Sequence, residues 1–151
     1  MTLKDLPELG HVGYMCEDVD HFAQMFGEDR VRVYDFSPTR AWAYGEPIDA
    51  ASCKLRIALY SPEHGAKQEF VKYVSGDNMA HKEFMDKHGE GIHHIAFNVD
   101  DTDAVVKVLT EEYGAVVEQH GIYGDGSGQY TYLNAQENLK CRIELLESFR
   151  K

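Results

Sequence analysis

The stretch HVGYMCEDVD at residues 11–20 returns as HIAFNVDDTD at residues 94–103. Each copy begins with a histidine, alternates small or polar residues with apolar ones, and then becomes acidic. That order predicts a short strand followed by the start of a helix. A repeat of this kind predicts that the chain is built from two similar halves.

The residues after each copy predict a helix with defined ends. Asp18 is the expected N-cap of the first helix and Asp100 or Asp101 that of the second, because a short carboxylate accepts from the free amides of the first turn. Gly27 and Gly114 are the expected stops, since glycine adopts positive φ at no steric cost. The repeat therefore extends from strand to helix in both halves.

A second pair of similar runs lies further along each half. QEFVKYV at residues 68–74 and RIELLE at residues 142–147 both predict a strand with an early glutamate, Glu69 and Glu144. Other strand-like runs lie between these markers, at residues 31–36, 55–60, 116–119 and 130–133. Each half therefore has a βαβββ pattern, and a unit of about 70 residues cannot cover both faces of its sheet alone.

The composition excludes several classes of protein. Of the 151 residues, 15 are Lys or Arg and 26 are Asp or Glu, so the net charge of −11 argues against a nucleic-acid partner. No apolar run approaches the about 20 residues of a membrane span, and residues 1–10 contain no apolar signal core. The three cysteines form no CxxC pair, so no disulfide framework is expected and a reducing cytoplasm is the simplest compartment.

Two of the eight histidines stand out because they begin the repeated strands. Alternation places His94 with Ala96 on the strand face opposite Ile95, and it places Glu144 on the face opposite Ile143 and Leu145. A carboxylate on an inner face is costly unless it is paired or bound to a cation. Imidazole and carboxylate donors at matching positions suit Zn, Ni, Co or Mn, although each residue alone is more often an ordinary hydrogen-bonded side chain.

The other histidines have different expected roles. His93 is expected to point to the opposite face from His94 and to have a supporting or structural role. Surface positions are expected for the rest, which have polar neighbours: His21, His64, His81, His88 and His120. The small residues beside His11 and His94 are expected to leave room for a ligand.

Three segments together carry a resemblance to a known family: GEGIHHIAFNVDD at residues 89–101, EYG at residues 112–114 that ends the second helix, and RIELLE at residues 142–147. With these segments the chain resembles the vicinal oxygen chelate superfamily, which contains glyoxalases, bleomycin-resistance proteins and dioxygenases. Within it the chain is most similar to methylmalonyl-CoA epimerases, and GEGIHHIAF is the most specific match. Residues 34–53 contain no counterpart of the EQGV-like segment of those epimerases.

The resemblance implies an α+β fold in which two paired βαβββ modules form a curved, partly closed mixed sheet around a metal-binding cleft. The helical spacing of Ala80, Phe84 and Met85 predicts a linking helix at about 78–88 capped by Asn78, and the resemblance places this helix in one domain of residues 1–151, between modules at about 8–75 and 91–148. It also implies a divalent metal ion (Co, Ni, Mn or Zn) held by four residues, one of which, Glu144, would be the catalytic base: His11, Glu69, His94 and Glu144.

The function implied is that of an epimerase or isomerase that removes an α-proton and passes through a metal-stabilised enolate. The expected partner is a small molecule, such as methylmalonyl-CoA or another CoA thioester, and the protein is expected to be a homodimer. Two alternatives stay open. A glyoxalase I-like lactoylglutathione lyase is favoured by Glu69, where epimerases often have Gln, and the other alternative is a non-catalytic protein that binds a drug-like molecule.

Overall fold

The computed structural model describes residues 3–77 and 79–150. Within them the chain forms ten strands, four helices and two single 3-10 turns at Leu3–Asp5 and Ala50–Ser52. In chain order the elements are β1 (Leu9–Met15), α1 (Val19–Phe26), β2 (Val31–Phe36), β3 (Arg40–Ala43), β4 (Glu46–Ile48), β5 (Lys54–Tyr60), β6 (Lys67–Ser75), α2 (Ala80–His88), β7 (Gly91–Asn98), α3 (Thr102–Tyr113), β8 (Val116–Ile122), β9 (Gly128–Asn134), α4 (Gln136–Leu139) and β10 (Arg142–Ser148).

The described strands form one mixed sheet in the order β2-β5-β6-β1-β7-β10-β9-β8-β3-β4. In each half the first strand is parallel to the last, β1 to β6 and β7 to β10, and the remaining pairs are antiparallel. β1 and β7 join the halves as an antiparallel pair at the centre. The sheet curls into a half-barrel, so the predicted α+β fold of two paired βαβββ modules is confirmed.

The predicted helix ends agree with the structure where it describes them. The Asp18 side chain accepts from the amide of His21, and the Asp101 side chain accepts from that of Ala104, so Asp101 rather than Asp100 is the second cap. Gly114 ends α3 in the left-handed conformation. Asn78, the expected cap of the linking helix, lies outside the described residues.

A hairpin of β3 and β4, absent from the predicted elements, departs from the simple repeat. Although it follows β2 in the first half, β3 pairs with β8 of the second half, and Trp42 stacks on His120 at 5.1 Å between ring centroids. The Phe36 ring at the end of β2 likewise meets Tyr130 of β9 at 5.6 Å. Residues 37–53 therefore cross from one edge of the half-barrel to the other.

Helices α1 and α3 cover the outer face of the sheet. α1 packs Phe22 and Phe26 on Phe70 of β6, with ring centroids 4.5 and 5.6 Å apart. α3 packs its buried residues Val105 and Leu109 on an apolar cluster that includes the outward residues of β7 and β10: Ile95, Phe97, Ile143 and Leu145. The predicted alternation is confirmed for residues 94–98 and for β10, and it leaves the opposite, concave face for other side chains.

A part-buried ion pair ties β8 to β10 in the second half. The Arg142 guanidinium donates through Nε and an Nη to both carboxylate oxygens of Glu118, at 2.6 and 3.0 Å. Removing one partner leaves the other charge buried and unpaired, which costs about 3–5 kcal/mol. Glu118→Ala is therefore expected to lower the free energy of unfolding by about 3 kcal/mol in urea titrations.

The exposed pair of Lys82 and Asp86 on α2 provides the control for that prediction. Because water screens this pair, Asp86→Ala is expected to change the free energy of unfolding by less than about 0.5 kcal/mol. Equal losses in the two variants would contradict the expected contribution of burial.

Among the described residues, no helix is long and apolar enough to cross a membrane.

Candidate metal centre

Four adjacent strands at the middle of the sheet each contribute one side chain to a single cluster. His11 lies on β1, Glu69 on β6, His94 on β7 and Glu144 on β10, and all four are buried. The ladder register brings them together: Gly13 pairs with both Glu69 and His94, and Ala96 pairs with both His11 and Glu144. The two halves therefore contribute equivalent residues about the central pair of strands.

The donor atoms of the cluster converge closely. The Nε2 atoms of His11 and His94 lie 3.0 Å apart, and each is 3.0 Å from Oε2 of Glu144. Oε1 of Glu69 is further away, at 3.8 Å from His11 Nε2 and 3.6 Å from His94 Nε2. All four ligand atoms lie within 4.8 Å of one another.

This donor set fits a divalent cation. Donors that share one ion at about 2.0–2.2 Å lie about 3 to 3.5 Å from each other, close to most of the separations in the cluster. Two neutral imidazole nitrogens 3.0 Å apart direct like partial charges at each other unless a proton or a cation lies between them. Nitrogen and oxygen donors without thiolate suit Zn, Ni, Co or Mn.

The electrostatics of the cluster favour positive charge. Burial alone would lower the pKa of His11, but the hydrogen bond with Glu144 and the charges of Glu69 and Glu144 outweigh it and raise that pKa to about 9. Burial would raise the pKa of Glu144, but the neighbouring histidines outweigh it and hold that pKa well below its usual value. Burial raises the pKa of Glu69.

The raised pKa of His11 predicts how cation binding depends on pH. The metal-free site holds a proton at neutral pH, and a bound cation must displace it. Affinity for Zn(II) is therefore expected to rise about tenfold per pH unit from pH 7 and to level off near pH 9. Calorimetry at pH 7 in two buffers of different ionisation enthalpy should report the release of at least one proton.

Measurement at high pH provides the control for this prediction. Above pH 9.5 the proton release per Zn(II) is expected to fall, because His11 is then already deprotonated. An affinity that does not change between pH 7 and pH 9 would contradict the assigned proton.

Gly13 leaves room for the His94 ring rather than for a ligand, which corrects the sequence interpretation. A Cβ atom built on Gly13 would lie 2.0 to 2.5 Å from three atoms of that ring. The ring therefore crosses over the neighbouring strand and occupies the space that the missing side chain provides. His94 is only 1% exposed as a result.

His93 also differs from the simple strand prediction. The β1–β7 register pairs Gly13 with His94 and then Tyr14 with Ile92, so His93 occupies a β-bulge and has no partner in that register. The bulge turns the His93 ring toward His94, and their Nδ1 atoms lie 2.9 Å apart. His93 and His94 are therefore both buried and in contact, whereas the sequence predicted that His93 would point to the opposite face of the strand.

Two histidines that were expected at the surface are not there. His81, in the first turn of α2, is only 1% exposed; its Nε2 lies 3.2 Å from the Tyr132 hydroxyl and its ring stacks on His93. His120 lies in β8, which extends to Ile122, and it is half-buried under Trp42 of the hairpin. The remaining three, His21, His64 and His88, are exposed as predicted.

A cleft of about 560 Å³ opens over the cluster on the concave face. His11, Glu69 and Glu144 line it, and its walls combine aromatic and aliphatic residues with polar and charged ones, among them Arg32 and Lys67. The aromatic residues are Tyr34, Phe36, Tyr123, Tyr130 and Tyr132, and the aliphatic residues are Leu55, Ile57, Leu59 and Leu146. Pockets of this size that combine apolar surface with convergent polar groups are typical sites for small molecules.

Tyr132 is the residue nearest the cluster that the sequence interpretation missed. It pairs with Glu144 across the β9–β10 ladder, and its hydroxyl interacts with that carboxylate. Burial raises the pKa of Tyr132 well above its usual value, so the hydroxyl keeps its proton and can donate it. The alternation in GQYTYLN at residues 128–134 was a signal that Tyr130 and Tyr132 share a face.

A family model described as the Glyoxalase/Bleomycin resistance protein/Dioxygenase superfamily matches residues 10–132. The uncharacterized protein YqjC of Bacillus subtilis (strain 168) is 22% identical over 94 residues, which cover 62% of this chain and 66% of that protein. The match thus spans about two-thirds of the length of this curated relative.

Solved structures with about one-fifth identity share the fold. The crystal structure of methylmalonyl-CoA epimerase from Mycobacterium tuberculosis is 20% identical with a TM-score of 0.64, over 98% of this chain and 92% of that one. A hypothetical protein from Bacillus halodurans C-125 is 20% identical with a TM-score of 0.65, over 95% and 96%. Streptomyces coelicolor methylmalonyl-CoA epimerase in complex with 2-nitronate-propionyl-CoA is 21% identical with a TM-score of 0.57, over 96% and 99%.

Proposed function

Because this chain belongs to the Glyoxalase/Bleomycin resistance protein/Dioxygenase superfamily, we propose that it is a divalent-metal-dependent epimerase or isomerase. The proposed reaction removes and returns a proton at the carbon next to a carbonyl group, and a CoA thioester such as methylmalonyl-CoA is the proposed substrate. The observation that carries the proposal is the cluster of two histidines and two glutamates under a cleft of small-molecule size.

His11, Glu69, His94 and Glu144 are the proposed ligands of the cation. A divalent cation supplies Lewis-acid stabilisation for the negative charge that develops on a substrate carbonyl oxygen. The two carboxylates offset its charge, and the aromatic and aliphatic residues of the cleft reduce the access of water, which strengthens the electrostatic interactions inside it.

Glu144 is the proposed base. Its carboxylate is ionised because the neighbouring histidines hold its pKa low, and it lines the cleft. The Tyr132 hydroxyl is the proposed donor that orients the carboxylate. Glu69 is the matched comparison, because it is also ionisable and buried in the cluster but lies further from both imidazoles.

The test is isotope exchange with the protein loaded with one metal at a time. The protein is incubated in deuterated water with methylmalonyl-CoA, and deuterium at the α-carbon is followed by mass spectrometry. Exchange that depends on the added metal is the expected result. Metal binding without exchange on methylmalonyl-CoA or on related acyl-CoA thioesters would overturn the proposed reaction.

A glyoxalase I-like lyase is the second candidate. Glu69 favours it because this residue gives the cluster a second carboxylate beside Glu144. The same metal-loaded samples are given the hemithioacetal of methylglyoxal and glutathione. Isomerisation of the hemithioacetal without α-proton exchange on acyl-CoA would select this function. If a metal-free protein binds a drug-like molecule and neither reaction occurs, the non-catalytic alternative stands.

The similarity to epimerases also supports the proposal that the chain forms one domain and that two copies form a homodimer. Sedimentation velocity is the measurement that checks it. A single species of monomer mass at micromolar concentration would contradict the proposed dimer.

A further inference from the structure

His93 is a buried histidine beside the candidate metal centre, and the proposed reaction does not use it. His93 is only 3% exposed. Its ring stacks on the His81 ring and packs edge-to-face with the Phe84 ring, with ring centroids 4.9 and 5.1 Å apart. These contacts hold the ring in the orientation that the β-bulge gives it. The His93 ring is therefore fixed against the back of the His94 ring.

The hydrogen bond between the two rings has only one direction that is compatible with a bound cation. Nε2 of His94 faces the cluster, 3.0 Å from Glu144, and it must be unprotonated to bind a metal. A neutral imidazole then carries its proton on Nδ1, and the atom 2.9 Å away is Nδ1 of His93. His93 must therefore accept there and carry its own proton on Nε2.

We infer that His93 is a positioning residue: it accepts a hydrogen bond from Nδ1 of His94 and so fixes the tautomer that presents Nε2 to the metal. This inference rests on the metal centre proposed above. Ligating histidines usually donate their second ring N–H to a carboxylate, a backbone carbonyl or water, and such partners contribute about 10- to 100-fold to metal affinity.

A neutral acceptor suits this site for an electrostatic reason. Two carboxylates in the cluster already match the charge of a divalent ion. A carboxylate in the place of His93 would add a third negative charge to a buried site, and it would have to be desolvated there. The imidazole of His93 accepts the hydrogen bond without adding charge, so it orients His94 and leaves the charge of the cluster unchanged.

Two substitutions separate the hydrogen bond from packing. His93→Asn keeps an acceptor near the position of Nδ1, whereas His93→Leu fills similar space and has no acceptor. Zn(II) affinity, measured by competition with a chelating dye, is expected to fall about 10- to 100-fold in His93→Leu and to stay within about threefold of the parent in His93→Asn. Phe84→Leu, which disturbs the packing of the same ring, is the control and is expected to bind normally.

Nitrogen NMR on the unmutated protein tests the inference without relying on a variant that must fold. In the Zn(II)-loaded protein, His94 is expected to carry its proton on Nδ1, with a scalar coupling to Nδ1 of His93 through the hydrogen bond. A proton on Nδ1 of His93, or unchanged Zn(II) affinity in a folded His93→Leu variant, overturns the inference. If the parent protein binds no divalent ion, the proposed metal centre and this role of His93 are overturned together. In that case a coupling between Nδ1 of His93 and Nδ1 of His94 in the metal-free protein would report only that the hydrogen bond exists.

Discussion

Gly13→Ala is expected to abolish metal binding and to lower the free energy of unfolding by about 3 kcal/mol. The added Cβ would lie 2.0 Å from Cε1 and 2.3 Å from Nε2 of His94, distances that no packed structure accommodates. The ring cannot move aside easily, because it is fully buried and hydrogen-bonded on both sides, to Glu144 and to His93. Metal analysis and urea unfolding of the purified variant measure the two effects.

A double-mutant cycle provides the control for this prediction. In a His94→Ala background the ring is absent, so adding a Cβ at Gly13 is expected to cost less than about 1 kcal/mol. The two substitutions should therefore be strongly non-additive in the free energy of unfolding. Additive losses would show that Gly13 is needed for a reason other than the His94 ring.

Glu144→Ala is expected to remove bound metal and to reduce α-proton exchange by at least about 10³-fold. Oε2 of Glu144 lies 3.0 Å from both imidazole Nε2 atoms, so its loss removes the carboxylate that contacts the histidines of both halves. Because the neighbouring histidines keep the buried Glu144 ionised against the effect of burial, Glu144→Gln, which has no charge, should also bind metal poorly despite its similar shape. Elemental analysis and deuterium exchange measure the effects.

The control variant is Glu137→Gln, an exposed glutamate on α4 that loses the same charge far from the cleft surface. Its metal content and exchange rate should equal those of the parent. His94→Ala should lose the metal as completely as Glu144→Ala. If both variants keep a full equivalent of metal, the four-residue assignment is wrong.

The sequence was informative wherever its own repeat carried the signal. His11 and His94 lie in equivalent strands, and Glu69 and Glu144 hold equivalent places in two later strands, so internal similarity alone paired them. The alternation of residues 94–98 and of β10 then predicted which face each of those residues would take. Both inferences depend only on local period and on comparison of one half with the other.

Features set by strand register or by partners distant in the chain could not be read in this way. β3 has four residues and pairs with a strand of the other half, so nothing local in RAWA marks it. The bulge that turns His93 toward His94 arises where the pairing of β7 with β1 shifts by one residue. His81 is a different case, because it shares the helical spacing of Phe84 and Met85, and its polar neighbours masked that apolar face.

The β3–β4 hairpin also imposes an order of assembly on the molecule. Arg40 pairs with Ile122, about 80 residues along the chain, so the hairpin can dock only after β8 is in place. Until then a folding chain exposes both the edge of β8 and the unpaired hairpin, and exposed edges are the template for pairing between molecules. The pairing of β3 with β8 is thus a late step of folding. Conditions that delay this pairing should therefore promote aggregation most.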